Sequence, residues 1–235
     1  MKTKHIVATA IVGTALYLWY RSKKNQEPLK PKFNLFGGAD MCAIRSLNLR
    51  NATNDDQKII DACIKSFGNL TTEQQNNIKL IIKAFKKLGD CDNAKLAYIL
   101  ATAWHESRFK PLREGFAKND AAARLHVAKK DYGKVINGHV YYGRGFSQLT
   151  WDHRYKEFGK ILGIDLYNNP DLAMIPEYAA EILVIGMIEG KFTYKKLETY
   201  ITATAWDFYN ARRTVNGTDK ATQIKGYAEK IITYA

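Results

Sequence analysis

Apolar residues recur at helical spacing along much of the chain, which predicts a mainly α-helical protein. One helix is expected to begin at Thr72, because Thr72 and Gln75 have the spacing of a capping box, and to end at Gly89. The apolar face of this helix consists of Ile78, Ile81, Ile82 and Phe85. The pattern indicates a helix that packs one face against a core and leaves the other in solvent.

The next helix is apolar on nearly all sides, which is typical of a helix at the centre of a domain. It covers residues 94–107, with Asp92 or Asn93 as its N-cap. We expect Pro111 to end it, because proline disfavours helical geometry at the preceding residue. The sequence therefore predicts a buried central helix whose C-terminal end carries polar side chains.

After the central helix the pattern predicts one short hairpin and then further helices. Residues 134–142 place Asn137-Gly138 between apolar positions, and this dipeptide suits a type I′ turn. The predicted fold class is therefore mainly α, a helical domain with a small β-hairpin. The other predicted helices cover 54–66, 152–162, 176–189 and 219–233.

The N-terminus carries an uncharged apolar run over residues 6–20, with basic residues on both sides. As a helix this run spans about 22 Å, short of the ~30 Å hydrocarbon core of a bilayer, although flanking lysines can reach the interface. A secretory signal peptide is the alternative, but the run lacks a small-residue cleavage site. We therefore predict an uncleaved membrane-anchor helix within 1–24, a linker with one short helix over 25–69, and a folded domain over 70–235.

The chain is strongly basic, with a formal net charge of +13 from 36 Lys and Arg against 23 Asp and Glu. This balance favours a polyanionic partner, either nucleic acid, anionic lipid or an acidic cell-wall polymer. The alternative is a lysine-rich surface that binds water only. No arginine-rich block or basic-aromatic motif is present, so we expect no specific nucleic-acid partner.

The three cysteines show no spacing typical of a metal site. An odd number excludes a complete set of disulfides. One disulfide remains open, but we expect unpaired thiols and no bound metal.

The first candidate for chemistry is Glu106, at the C-terminal end of the buried helix. The partial negative charge at a helix C-terminus disfavours a carboxylate, and apolar neighbours such as Trp104 and Phe109 would add the cost of desolvation. Both effects favour the protonated form, which a general acid needs. The alternative is an ordinary surface glutamate in a salt bridge.

A second carboxylate, Glu114, follows after Pro111, and two carboxylates are what most glycoside hydrolysis requires. The segment 141–151 contains glycines that would let its backbone lie close to a bound chain. Its aromatic side chains offer flat faces for sugar rings, and its polar side chains offer hydrogen bonds to hydroxyls or water. The alternative is that the aromatic residues only pack the hairpin onto the domain. The residues concerned are Tyr141, Tyr142, Gln148, Thr150 and Trp151.

Five pieces of the sequence, in the same order, resemble glycoside hydrolase family 19, in particular its bacterial and phage endolysin-like branch. The resemblance implies a lysozyme-like helical fold, no cofactor, and hydrolysis of β-1,4-linked N-acetylated sugars. It also implies that Glu106 is the acid and that Glu114 is the base that activates water with inversion. The pieces are 97–107, 112–116, 141–151, 162–173 and 210–217. The predicted substrate-binding residues are His105, Tyr141, Tyr142, Arg144, Gln148, Thr150, Trp151 and Asn216.

The sequence departs from the family pattern at Arg154, where the family often has an asparagine before the tyrosine. If that asparagine binds sugar, the corresponding subsite is altered here. The loop that carries Glu114 also lacks an insertion of the plant chitinases, which favours cell-wall glycan over crystalline chitin by analogy.

The alternatives are a lytic transglycosylase that uses Glu106 alone, because 105–111 also resembles that group, a chitinase, and a non-catalytic wall-binding protein. Together with the predicted anchor, the resemblance suggests a membrane-bound peptidoglycan hydrolase. We expect it in the virion of a membrane-containing phage or in a bacterial envelope, with peptidoglycan strands and, through 6–20, lipid as its partners.

Overall fold

The computed structural model describes residues 52–235, which form helices and one small sheet. The mainly α fold class is confirmed. The helices are α1 (Ala52–Phe67), α2 (Thr72–Leu88), α3 (Asn93–Ser107), α4 (Asp120–Val127), α5 (Asp152–Leu162), α6 (Pro176–Ile188) and α7 (Ala221–Tyr234). The strands are β1 (Leu112–Arg113) and β2 (Arg144–Gly145).

Helix α3 is the central helix, as predicted, and it packs mainly against α7. It begins after Asp92, whose Oδ1 accepts hydrogen bonds from the backbone N–H groups of Ala94 (2.8 Å) and Lys95 (3.3 Å). It ends at Ser107, because Arg108 takes a left-handed conformation with φ 54°. The predicted end at residue 107 is confirmed, but the left-handed conformation of Arg108, and not Pro111, stops the helix there.

Helix α2 is capped one residue earlier than predicted. Thr71 is the extended N-cap residue, and its Oγ1 accepts from Gln74 N at 3.3 Å while Gln74 Oε1 accepts from Thr71 N at 2.9 Å. The capping box is thus Thr71 and Gln74 rather than Thr72 and Gln75. The predicted stop is confirmed, because Gly89 caps the C-terminus and its N–H bonds to Phe85 O at 2.7 Å.

Helix α1 belongs to the same core as the rest of the domain. It packs against α7, and its Ile60, Ala62 and Cys63 lie in the main hydrophobic cluster with Ile224 and Ala228. The folded domain therefore begins before residue 70, and the short helix that we assigned to the linker is part of it.

The cysteines within the described residues differ in state. Cys63 is free, and burial raises the pKa of its thiol to about 12, so the thiol stays protonated near neutral pH. Cys91 takes part in a disulfide bond. The expectation of unpaired thiols is therefore right for Cys63 and wrong for Cys91.

The small sheet pairs β1 with β2 in antiparallel register, with Leu112 opposite Gly145 and Arg113 opposite Arg144. This pairing was not predicted. The predicted turn at Asn137-Gly138 is confirmed, because both residues have positive φ (50° and 74°) and the chain closes between Ile136 and His139 through two hydrogen bonds of 2.8 and 3.0 Å. The sheet matters for the site, since β1 leads directly into Glu114.

Between residues 52 and 235 we find no helix with the length and apolar character needed to cross a bilayer. The anchor predicted over 6–20 lies outside the described residues and stays a prediction.

Candidate active site

Glu106 lies on the last turn of α3 and is paired with a buried arginine. Its Oε1 accepts a hydrogen bond of 2.6 Å from Nη1 of Arg212, and the Nε of Arg212 donates to the carbonyl of Asp219 at 3.1 Å. Arg212 is almost fully buried, so its guanidinium is held in place. The sequence had predicted only apolar neighbours and a helix C-terminus around Glu106, so this ion pair is an addition to the predicted site.

The aromatic residues expected to surround Glu106 form a cluster with α1. The Trp104 ring stacks on Phe67 at 4.5 Å, and Phe109 contacts both rings at 5.8 and 5.5 Å. His105, next to Glu106, is half-buried. Burial lowers the pKa of His105 and outweighs the opposing effect of Glu106, so its imidazole is neutral near neutral pH.

Glu114 is held by two hydrogen-bond donors, one on each carboxylate oxygen. Oε1 accepts from the hydroxyl of Tyr132 at 2.7 Å, and Oε2 accepts from the backbone N–H of Gly143 at 2.9 Å. Nζ of Lys130 lies 3.9 Å from Oε1. The two hydrogen bonds hold the carboxylate in one orientation, and a cation lies beside it. A carboxylate held in this way can reach a proton from a fixed direction.

The β1–β2 sheet brings Gly143 to Glu114. The backbone N–H of Glu114 also donates to the carbonyl of Gly143 at 2.8 Å, so the two residues are joined twice. A Cβ at position 143 would lie 2.8 Å from Oε1 of Gln148 and 3.3 Å from Oε2 of Glu114. A glycine is needed here so that the loop can approach Glu114, whereas we had expected it to admit a bound chain.

Three residues predicted to bind substrate are buried inside the domain, which corrects that prediction. The hydroxyl of Tyr141 donates to the carbonyl of Tyr167 at 2.9 Å, and the hydroxyl of Tyr142 donates to Asp120 Oδ1 at 2.9 Å. Arg144 lies 3.6 Å from the centre of the Tyr142 ring. All three are at most 1% exposed, so none can touch a glycan; they are Tyr141, Tyr142 and Arg144.

The polar residues of the same loop hold its shape. Nε2 of Gln148 donates to the carbonyls of Leu112 (3.0 Å) and Gly145 (3.1 Å), which ties the loop to both strands. The hydroxyl of Thr150 donates to the carbonyl of Gln148 at 2.8 Å. Both side chains are half-buried, so their predicted contact with substrate stays a prediction.

Trp151 and Asn216 are exposed, as a substrate-binding role requires. Trp151 is 43% exposed, and its ring meets the edge of Tyr132 at 5.3 Å. Because Tyr132 holds Glu114, the structure connects an exposed aromatic face with the second carboxylate. Oδ1 of Asn216 accepts from Gly217 N at 2.8 Å.

Comparison with known proteins identifies the family. The family model of class I chitinases, glycoside hydrolase family 19, matches residues 64–181, half of the chain. The chain belongs to this family. The matched segment contains both Glu106 and Glu114, and it begins within α1.

The family 19 relatives match over limited stretches. Chitinase 3 of Oryza sativa subsp. japonica is 33% identical over 100 residues, which cover 37% of this chain and 31% of the relative. Endochitinase 1 of Theobroma cacao is 54% identical and inactive chitinase-like protein 1 of Hevea brasiliensis 57% identical, each over 35 residues, 15% of this chain and 11% of the relative. The chain thus spans from about a tenth to about a third of these relatives. Among solved structures, a bacterial family 19 chitinase matches with a TM-score of 0.38 and 19% identity over 85% of this chain and 96% of its own.

Two residues that hold the carboxylates of this family 19 chain were missed by sequence reasoning. Arg212 lies in the segment 210–217, which carried the resemblance, but nothing in its spacing relates it to Glu106. Tyr132 is one of 14 tyrosines, and no local signal separates it from the others. No group of three or more metal-ligating side chains occurs in the part of the chain that the structure describes.

Proposed function

We propose that this family 19 protein hydrolyses β-1,4 glycosidic bonds of peptidoglycan, with Glu106 as general acid and Glu114 as general base. The observation that carries the proposal is the paired support of Glu114, in which each carboxylate oxygen accepts one hydrogen bond from a neutral donor. Such support fixes the orientation of the carboxylate, as a general base requires. A transglycosylase that uses Glu106 alone would need no second carboxylate held in this way.

The proposed reaction inverts the anomeric carbon. Glu114 takes a proton from water while the water oxygen bonds to the anomeric carbon from the face opposite the leaving group. Glu106 gives its proton to the glycosidic oxygen as the carbon–oxygen bond breaks. Room for the water calls for carboxyl groups about 6.5–9.5 Å apart when substrate is bound.

Arg212 has two effects on an acid at position 106. Its guanidinium occupies Oε1, so the proton would be carried by Oε2. After transfer, the same guanidinium stabilises the carboxylate that remains.

The choice of peptidoglycan over chitin rests on charge. The chain carries +13, and peptidoglycan bears carboxylates on its peptides whereas chitin is neutral. Chitin is the second candidate substrate, because relatives of this chain are named endochitinases. A non-catalytic glycan-binding role is the remaining alternative for this chain, because one relative, from Hevea brasiliensis, is named an inactive chitinase-like protein.

We also propose that residues 6–20 tether the enzyme to a membrane, in the virion of a membrane-containing phage or in a bacterial envelope. The support is the uncharged apolar run with basic flanks. A tether would keep the domain close to the wall that it cleaves.

The test is digestion of purified peptidoglycan and of chitin by the full chain, with mass spectrometry of the products and the Glu106→Gln variant as control. We expect new reducing ends from peptidoglycan and none from the variant. Products with 1,6-anhydro ends would identify a transglycosylase. Cleavage of chitin alone would identify a chitinase, and binding without cleavage of either polymer would identify a non-catalytic protein.

A further inference from the structure

Tyr194 is an exposed aromatic residue held in an unusual backbone conformation. It lies in the loop after α6, is 81% exposed and has φ 62°. Aromatic residues seldom adopt this left-handed region, and they do so where the surrounding structure holds them there. Its backbone N–H bonds to the carbonyl of Gly190 at 2.8 Å, which closes the loop behind it. This hydrogen-bonded turn therefore holds the ring in solvent.

One side of this loop is attached to the start of α5. The guanidinium carbon of Arg154 lies 4.8 Å from the centre of the Tyr194 ring, and its Nη2 donates to the carbonyl of Phe192 at 3.3 Å. The backbone N–H of Arg154 bonds to the carbonyl of Trp151 at 3.1 Å. Arg154 is the position at which the sequence departs from the family pattern. Its side chain here supports an aromatic ring instead of presenting an amide.

The other side of the loop is attached to the segment that holds Glu106. The hydroxyl of Thr193 donates to the carbonyl of Arg213, and the preceding residue, Arg212, binds Glu106. Tyr194 is thus joined through short contacts to both halves of the candidate site. Towards α5 these contacts lead to Trp151 and Tyr132, and towards Arg213 they lead to Glu106.

We infer that Tyr194 forms a sugar-stacking subsite for a β-1,4-linked N-acetylated glycan, beyond the sugars that flank the cleaved bond. The inference rests on the proposed function. The guanidinium of Arg154 lies over one face of the ring, and the opposite face is available to the apolar face of a pyranose. A flat aromatic side chain with few rotatable bonds binds a ring at low entropic cost.

The test measures binding in the full chain carrying Glu106→Gln, so that substrate is not consumed. The probes are the trimer and the hexamer of β-1,4-linked N-acetylglucosamine, titrated by calorimetry. Tyr194→Gly should weaken hexamer binding about tenfold, the factor that corresponds to one lost contact of about 1.4 kcal/mol. It should change trimer binding much less, because a short ligand fills only the central subsites. Tyr194→Trp should restore hexamer binding.

Two comparisons separate stacking from a structural effect. Glycine adopts positive φ without strain, so Tyr194→Gly should not lower the melting temperature. Tyr234→Ala is the matched control, because Tyr234 is also exposed and lies beside a cation, Lys65, 6.0 Å from its ring centre; it should leave hexamer binding unchanged.

Four results would each overturn the inference. The hexamer could bind equally well with and without Tyr194, or lose as much affinity in the Tyr234 variant. Tryptophan at position 194 could fail to restore binding, or the hexamer could fail to bind at all. Hydrolysis of peptidoglycan by the unaltered protein is measured separately. Hydrolysis without dependence of hexamer affinity on Tyr194 would refute only the subsite. Binding that depends on Tyr194 in a protein that cleaves nothing would refute only the proposed catalysis.

Discussion

Tyr132→Phe tests whether the hydrogen bond to Glu114 contributes to catalysis. The substitution removes the hydroxyl that lies 2.7 Å from Oε1 and keeps the ring that contacts Trp151 at 5.3 Å. Burial, followed by the contact with Glu114, raises the pKa of Tyr132, so its hydroxyl stays protonated and donates over the whole working pH range. The change therefore deletes one donor to the base and little else.

The size of the effect follows from what Glu114 retains. A hydrogen bond to a charged group contributes about 1.5–3 kcal/mol, which corresponds to roughly 10- to 150-fold in rate. Gly143 N still binds Oε2, Lys130 remains 3.9 Å from Oε1, and water can reach a half-buried carboxylate. We therefore expect the low end, a fall in kcat of about tenfold, with a smaller change in KM.

The assay is steady-state hydrolysis of solubilised peptidoglycan, which gives kcat and KM separately. Tyr178→Phe is the matched control, because Tyr178 is a half-buried tyrosine whose pKa is raised by burial and by Glu181, outside the site. An unchanged kcat in a folded Tyr132→Phe enzyme would refute the positioning role. An equal loss in the control would refute it as well.

The remaining predictions concern the two carboxylates, one glycine and the N-terminus. Glu106→Gln should slow the clearing of a cell-wall suspension by about 10²–10⁴-fold and leave the melting temperature unchanged. A folded variant with near-normal turnover would exclude Glu106 as the acid. Glu114→Gln should cause a severe loss, and proton NMR of fresh product from the unaltered enzyme should show the α-anomer first; a β-anomer would contradict inversion. Gly143→Ala should destabilise the domain by about 1–3 kcal/mol and lower activity, because its Cβ would lie 2.8 Å from Gln148 Oε1; thermal unfolding identical to that of the unaltered protein would contradict this. The full chain should float with membranes and resist extraction by high salt, whereas release by salt alone would contradict an anchor at 6–20.

The features predicted correctly from the sequence are those fixed by neighbouring residues. The central helix, the Asp92 cap, the stop at Gly89 and the turn at Asn137-Gly138 each depend on a few consecutive positions. Even here the pattern fixes a boundary only to within a residue or a turn. Two adjacent threonines offered the same capping group, and backbone conformation selected Thr71.

The features that were missed depend on residues far apart in the chain. Glu106 and Arg212 are 106 positions apart, and no periodic pattern relates them. The β1–β2 sheet has two residues in each strand, too few to show an alternation of polar and apolar positions. The sheet can therefore be recognised only in the folded structure, where Leu112 lies opposite Gly145.

The loop 141–151 shows why residue type alone misplaced the sugar contacts. Its tyrosines and arginine have the chemistry of a sugar site, but Arg144 is buried and bound by Asp171 at 2.9 Å and Asp120 at 3.2 Å. The guanidinium is buried while the two carboxylates are partly exposed, and together these contacts hold β2 against the domain. Because β2 carries Gly143 at its edge, the rigidity passes to the N–H group that binds Glu114. The loop therefore acts on the reaction through its backbone, and the aromatic faces left for glycan lie at Trp151, where the loop ends, and at Tyr194.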